Sequence, residues 1–198
     1  MNKNIVWAVL GFLLLLTAYS GCSTFNRLSK MDEAVTAKWH QVENVYQRRA
    51  DLIPNLVNTV QGYADFEKST LTAVVEARAK ATSVHMDAEH LDEESLKKFQ
   101  EAQAGLGSSL SRLLVVAEQY PELKANQNFL SLQAELEGTE NRIANERRMF
   151  NDAAQEFNSS ARLFPANIWA GLFHFSRRAY FESAEGADKA PTVKFNAR

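Results

Sequence analysis

Apolar residues recur every three or four positions over the 39 residues from Phe25 to Tyr63, and this periodicity constrains the fold more than any other feature. The positions are Phe25, Leu28, Val35, Trp39, Val42, Tyr46, Ile53, Leu56, Val60 and Tyr63. A mean spacing near ~3.5 places these side chains on one stripe of an α-helix and suits near-parallel packing against other helices. At roughly 1.5 Å per residue, such a helix would be about 58 Å long. The pattern predicts a long rod with one buried face.

A second stretch with the same periodicity, which begins within the block 122–163 and ends at Phe164, is the expected partner rod. Its positions are Leu136, Glu140, Ile143, Arg147, Phe150, Ala154, Phe157, Ala161 and Phe164. Two shorter periodic blocks, 65–83 and 94–120, lie between the rods and are separated by the polar stretch 85–93. With only 8 Gly and 4 Pro, the composition also favours long helices.

The chain begins with a short polar start that contains Lys3, followed by 18 uncharged, mainly apolar residues at 5–22. This run measures about 27 Å, which nearly spans a hydrocarbon core of about 30 Å. The run is therefore long enough to remain as a single-pass anchor. The small residues Ser20 and Gly21 before Cys22 also fit a bacterial lipoprotein-type signal whose cysteine is lipidated, although Tyr19 stands where an aliphatic residue is usual. Both alternatives tether the chain to a membrane.

These patterns together predict an all-α fold. Residues 1–22 form the membrane anchor or lipoprotein-type signal. Residues 23–181 form an elongated, mostly antiparallel bundle of three to four long helices, and 182–198 form a weakly patterned tail. Positive charges flank the apolar run on both sides, so the positive-inside rule does not fix its orientation. We expect the bundle on the periplasmic side of the bacterial cell membrane.

Charged residues occupy four otherwise apolar positions, Asp32 and Arg49 in the first rod and Glu140 and Arg147 in the last. An unpaired buried charge is costly, whereas an ion pair between rods would favour one helix register over others. We therefore predict that Arg48 or Arg49 pairs with Glu140 or Glu146.

The first rod contains a proline, Pro54. This proline and the nearby Asp51 and Asn55 are further candidate structural or interaction residues. Pro54 removes one helical hydrogen bond and crowds the carbonyl of Ala50, so we expect the rod to bend or break there. Asn55, directly after the proline, is expected to help satisfy the freed backbone groups.

Residues 164–181 are rich in aromatic side chains and follow the last rod. One interpretation is an amphipathic segment on a lipid surface, with Trp169, Phe173 and Phe175 inserted and Arg177 and Arg178 facing headgroups. The other is a short helix docked on the bundle.

Composition and motifs give little support to catalysis or cofactor binding. The net charge of −2 indicates no nucleic-acid partner, and the single cysteine, Cys22, excludes an intramolecular disulfide or a thiolate-rich metal site. The four histidines form no Ser/His/Asp or HExxH arrangement, and His85 and His90 in a polar stretch are a nonspecific metal signal. We expect no catalytic, cofactor-binding or metal-ligating residues.

The residues around the first rod carry a family resemblance. They match the signature RRxDLIPNLVxxVxGYAxxE at Arg48, Arg49, Asp51 to Val57, Val60, Gly62, Tyr63, Ala64 and Glu67. The match continues at residues 73–81, 113–147 and 164–175. On these motifs the chain resembles the LemA family of bacterial membrane-anchored helical proteins. It departs from the family pattern by having Phe-Asn at 25–26, 150–151 and 157–158, where Tyr-Asn is frequent.

The resemblance implies a helical bundle after one retained membrane helix, and no established enzymatic activity. Two function classes follow. The first is a non-enzymatic envelope scaffold or adaptor that acts as a homo-oligomer or through an unidentified envelope protein partner. The second is an envelope enzyme or metal-binding protein with an unrecognised site. The long apolar stripes on the rods (the seams), the membrane anchor and the lack of convergent catalytic groups favour the first class.

Overall fold

Six α-helices make up the regular structure of residues 3–63, 67–88 and 91–182, which are the residues that the computed structural model describes. The helices are α1 (Lys3–Gln61), α2 (Lys68–Ser83), α3 (Glu93–Ala117), α4 (Pro121–Lys124), α5 (Gln127–Arg162) and α6 (Ala166–Leu172). No strand occurs in these ranges. The predicted all-α class, with a long apolar N-terminal helix followed by a helical bundle, is confirmed.

The first helix, α1, is continuous over 59 residues and joins two environments. Its N-terminal part is exposed and apolar, and it is the one described helix long and apolar enough to cross a membrane. A signal sequence near the N-terminus would have the same length and composition. The remainder, from Leu28 to Val60, buries the predicted apolar stripe. Apolar anchor and bundle are thus parts of one helix.

The helices pack as two antiparallel pairs. The long helix α5 runs back along α1, so that Arg49 lies beside Glu140 and Arg27 lies beside Ser160. The shorter pair, α2 and α3, covers the distal part of α1, where α3 runs parallel to α1. The polar stretch 84–92 connects α2 to α3, as expected, although residues 89 and 90 lie outside the described residues.

Two hydrophobic cores lie along the bundle. The distal core contains apolar residues of α1, α2, α3, α4 and α5, including Ile53, Leu56 and Leu113. The proximal core, nearer the membrane end, is built around Trp39, Phe150 and Phe157. Trp39 contacts Phe99 and Phe150 edge-on at ring-centroid distances of 5.3 and 5.8 Å, a favoured aromatic arrangement.

The ends of the helices correct three boundaries. α1 ends at Gln61 and does not continue through Gly62 into α2. The block 122–163 divides, because Pro121 starts the one-turn helix α4 and Asn126 caps α5 by accepting from the backbone N–H groups of Asn128 and Phe129. At the far end of the last seam, Phe164 is 81% exposed and not part of the core.

Removing the side chain of Leu56 tests the phase of the first seam. Leu56 is fully buried in the distal core, so Leu56→Ala should lower the free energy of unfolding by about 2 to 5 kcal/mol. The matched control is Leu130→Ala on α5, whose side chain is 42% exposed. Denaturant titration in mild detergent measures both. Equal losses in the two variants would show that the seam is wrongly phased.

Candidate functional site

Arg49 lies at the centre of a polar network between the two cores. Its side chain is only 4% exposed, and its Nη1 donates to Glu140 Oε2 on α5 at 3.0 Å. Its Nη2 donates to Gln103 of α3, both to the backbone carbonyl at 3.2 Å and to the side-chain oxygen. The guanidinium also lies 5.1 Å from the ring centre of Tyr46. One arginine thus joins α1, α3 and α5.

The predicted pairing of Arg49 with Glu140 is therefore present. The alternatives are not, since Glu146 is hydrogen-bonded by the neighbouring Asn145, and Arg48 approaches Glu135 at 3.9 Å. Both partners of the Arg48 pair are about half exposed, and such surface pairs contribute little to stability. Glu140 is 63% exposed, so the counter-ion of the buried Arg49 remains in contact with solvent.

Gln103 was missed by the sequence reasoning. It is 8% exposed, and its side-chain nitrogen donates to the carbonyl of Ala81 on α2 at 3.4 Å. The signal was available, because position 103 fills the gap between Phe99 and Leu106 in the α3 seam. A glutamine at a seam position indicates a buried polar contact.

The proline of α1 is accommodated without a break. Because Pro54 has no N–H, the carbonyl of Ala50 loses its helical partner. Arg78 of α2 supplies one, since its Nε donates to that carbonyl at 2.8 Å. Of the predicted bend or break, the break does not occur, and the carbonyl is satisfied by Arg78 and not by Asn55. Arg78 is half-buried beside α1.

The other two residues near the proline face outward. Asp51 is exposed and accepts a hydrogen bond from Gln47 on the same helix at 2.8 Å. Asn55 is exposed, and its backbone carbonyl accepts from the hydroxyl of Thr59. The structure does not bring either residue into the Arg49 network.

Residues 175–182, which we call the strap, lie against the proximal core without forming a helix. Phe175 contacts Phe25 and Phe157, whereas Phe181 contacts Trp39 and Phe150. Phe175 and Phe181 are six residues apart, whereas the residues that they contact on α1, Phe25 and Trp39, are fourteen apart, which is a helical rise of about 21 Å. Six residues cover that distance only when the chain is almost fully extended.

Side-chain amides hold the backbone of the strap at three places. Asn158 Nδ2 donates to the carbonyl of Arg178 at 2.8 Å, and its Oδ1 accepts from the N–H of the same residue at 2.9 Å. Asn151 pairs with both backbone groups of Phe181 in the same way, at 3.0 and 2.8 Å. Gln100 Nε2 donates to the carbonyl of Glu182 at 3.1 Å. An amide can do this because it carries both a donor and an acceptor.

The spacing of the two asparagines matches the strap. Seven residues of an α-helix rise about 10.5 Å, and three residues of an extended chain about 10 Å. Asn151 and Asn158 are therefore in register with Phe181 and Arg178. Two asparagines seven residues apart on α5 thus match backbone positions three residues apart in an extended segment that runs antiparallel to the helix.

Ionic and aromatic contacts fix the side chains of the strap. Arg178 is 6% exposed, and its Nε donates to Asp32 Oδ1 of α1 at 2.7 Å. The guanidinium of Arg147 lies 4.7 Å from the ring centre of Phe181, and its Nη2 donates to the carbonyl of Glu182. Both charged residues that interrupt the apolar stripe of α1 are therefore in ion pairs with one buried member. In the first pair Arg49 is buried, and in the second the partner of Asp32, Arg178, is buried.

The predicted lipid contacts of the aromatic segment need correction. Arg178 does not face headgroups, because it is buried in its pair with Asp32, and Phe175 packs within the bundle. Trp169 and Phe173 are partly covered by α1, where Phe173 meets Phe25 at 5.0 Å. Arg177 is exposed.

An open cleft of about 590 Å³ lies beside the Arg49 network and is lined by Tyr46, Gly107, Glu140 and Arg147 among others. Burial raises the pKa of Tyr46 above its usual 10.0; Glu140 raises it further, whereas Arg147 and Arg49 act in the opposite direction. No group of three or more His, Cys, Asp or Glu within residues 3–63, 67–88 and 91–182 is placed to hold a metal ion. His40 pairs with Glu43, and His90 lies outside the described residues.

Comparisons with known proteins place these features in context. A family model described as the LemA family matches residues 38–195. Magnetosome proteins MamQ 2 and MamQ 1 of Paramagnetospirillum magneticum are each 28% identical over 181 residues, covering 83% of this chain and 66% of theirs. Protein LemA of Metamycoplasma hominis is 26% identical over 144 residues, covering 73% of this chain and 62% of its own. The chain spans just under two thirds of the length of the magnetosome proteins.

Loss of one amide should loosen the strap. Asn158→Ala leaves the N–H and carbonyl of Arg178 buried without their partner, at a cost of about 1 to 3 kcal/mol. We expect faster backbone hydrogen exchange across residues 175–182, measured by mass spectrometry. Asn141→Ala, at an exposed position of the same helix, is the control. Unchanged exchange in Asn158→Ala would contradict the role assigned to the amide.

Tyr46 should make stability depend on pH in the alkaline range. Because its pKa is raised in the folded state, the stability that it contributes is complete below the unfolded pKa of about 10 and is lost as the pH rises through the folded pKa. The unfolding free energy of the native protein should therefore fall more steeply above about pH 10 than that of Tyr46→Phe. Parallel curves from denaturant titration would refute this assignment.

Proposed function

Because this chain belongs to the LemA family, we propose that it is a non-enzymatic, membrane-anchored helical protein of the bacterial cell envelope, acting as a scaffold or adaptor through self-association or protein partners. The family assignment rests on the match over residues 38–195. None of the names of the matched proteins states a reaction.

One observation carries the proposal, namely that the apolar anchor and the main bundle helix are the same helix. α1 has no break between its exposed apolar part and its buried part, and at about 1.5 Å per residue its 59 residues measure about 88 Å. A continuous helix fixes the distance and the orientation of the bundle relative to the membrane. This arrangement suits a protein that holds something at a set distance from a membrane.

The residues with polar chemistry support a structural role. Arg49, Glu140 and Gln103 are joined to one another across three helices, and Arg147 is engaged with the strap. These contacts explain the charged seam positions as determinants of helix register. Arg48 and Asp51 are exposed on α1 and remain available to a partner, as do the exposed apolar side chains of Val115 and Leu130.

The anchor has two forms within this proposal. In the first, residues 5–22 are a retained single span, with the bundle on the periplasmic side. In the second, the segment is cleaved and Cys22, which is exposed and unpaired by any disulfide, carries the lipid. The family resemblance favours the retained span. Intact-mass measurement distinguishes them, since a chain that begins at a lipidated Cys22 would rule out the span.

Size in solution and cross-linking in the membrane test the proposed function. The detergent-extracted full-length protein should have a protein mass that is a multiple of 22.3 kDa by light scattering, or should form specific cross-links to other envelope proteins before extraction. The control is cross-linking of membranes that hold the protein at low surface density, which suppresses random encounters. A strict monomer without enriched cross-linked partners would overturn the scaffold proposal.

A further inference from the structure

An exposed apolar stripe runs along α6 and the residues that precede it. Ile168 and Leu172 are 57% and 62% exposed, and their spacing of four on α6 places them on one side of the helix. Phe164, in the turn that precedes α6, is 81% exposed. Leu163, which is 62% exposed, adjoins the stripe. The opposite side of α6 presents the buried Ala170 to the bundle. Since the bundle-facing side is already covered, the stripe is a second and separate apolar surface.

The position of α6 along α1 suggests what covers the stripe. The ring of Trp169 lies so close to Gly21 that a Cβ atom on this glycine would be 2.9 Å from it. Gly21 is the penultimate residue of the uncharged run 5–22. α6 is therefore at the height where the apolar part of α1 ends. The absence of a side chain at Gly21 permits this close approach.

Basic residues are concentrated in the two segments that adjoin α6, and the acidic residues Asp32 and Glu33 lie beyond them, beside Phe173 and His174. Residues 21–30 and 159–178 contain Arg27, Lys30, Arg162, Arg177 and Arg178, and neither range contains an Asp or Glu. Arg178 is paired with Asp32, and the other four are exposed. A belt of basic residues beside an apolar stripe is the pattern that binds an anionic lipid interface.

We propose that Phe164, Ile168 and Leu172 insert into the headgroup and acyl boundary of the same membrane that anchors α1, with Arg27, Lys30, Arg162 and Arg177 contacting anionic phospholipids. This inference rests on the proposed membrane anchoring and adds a second contact to it. The inserted residues differ from the aromatic set expected from sequence, because Phe175 and much of Trp169 are turned toward the bundle. Two contacts at different points fix the tilt of the bundle on the membrane.

Spin labels on α6 test this inference in the full-length protein. In a Cys22→Ser background, single cysteines replace Ile168 or Leu172, and Asn167, exposed on another side of the same helix, provides the matched control position. The labelled proteins are placed in nanodiscs that contain phosphatidylglycerol, where both membrane faces are open to solution. Collision rates with oxygen, which concentrates in lipid, and with a water-soluble nickel chelate are measured by paramagnetic resonance.

We expect a severalfold higher ratio of oxygen to nickel collisions at Ile168→Cys and Leu172→Cys than at Asn167→Cys. The ratio should fall in nanodiscs made only of phosphatidylcholine, because the basic belt then lacks anionic partners. High nickel accessibility at the stripe would overturn the inference, as would low accessibility to both reagents, which indicates cover by protein. An unchanged ratio without phosphatidylglycerol would overturn the anionic preference.

A separate measurement distinguishes failure of the inference from failure of the membrane anchor. Flotation of the Cys22→Ser protein with vesicles reports on membrane attachment as a whole, and residues 5–22 remain uncharged in this variant. A protein that floats but exposes Ile168 to nickel has an anchor and no second contact. A protein that does not float would overturn both the retained span and the inference that depends on it.

Discussion

The extended strap buries backbone N–H and carbonyl groups without a neighbouring strand to pair with them. The proximal half of the bundle must therefore supply other hydrogen-bonding partners. A buried N–H or carbonyl without a partner costs free energy comparable to a lost hydrogen bond. In the absence of a neighbouring strand, the side-chain amides of Asn151 and Asn158 pair with Phe181 and Arg178, and the carbonyl of Leu91 accepts from the N–H of Ala179. The strap then supplies Phe181 to the proximal core in place of a further helix.

Ionic pairs serve a related purpose along α1. A uniformly apolar seam would allow α1 and its neighbours to slide by a heptad, because successive heptads present similar surfaces. Arg49 with Glu140, and Asp32 with Arg178, make such a slide costly since it would leave a buried charge without its partner. One pair fixes α5 and the other fixes the strap, so both elements are held in register with the same helix.

Helical elements could be predicted from the sequence because their signal is periodic. The spacing from Phe25 to Tyr63 placed the buried face of α1 correctly at Trp39 and Leu56. The charged residues at otherwise apolar positions predicted the ion pair of Arg49 with Glu140. Contacts between distant segments carry no such period. Arg78 resembled any exposed cation until α2 brought it to the carbonyl left free by Pro54. Similarly, Phe175, Arg178 and Phe181 recur every three residues, which resembles neither a helix nor an alternating strand.

The amides of Asn151 and Asn158 also determine which substitutions the strap can accept. Asn151 contacts only the backbone of the strap, whereas Asn158 also donates to the hydroxyl of Tyr180. The backbone contacts themselves require no particular side chain at 178 or 181. Proline is the exception, because at 178 or 181 it would remove the N–H that each amide oxygen requires. Related chains should therefore conserve the two asparagines more strictly than most strap residues, and should exclude proline from two positions whose side chains play no part in that exclusion.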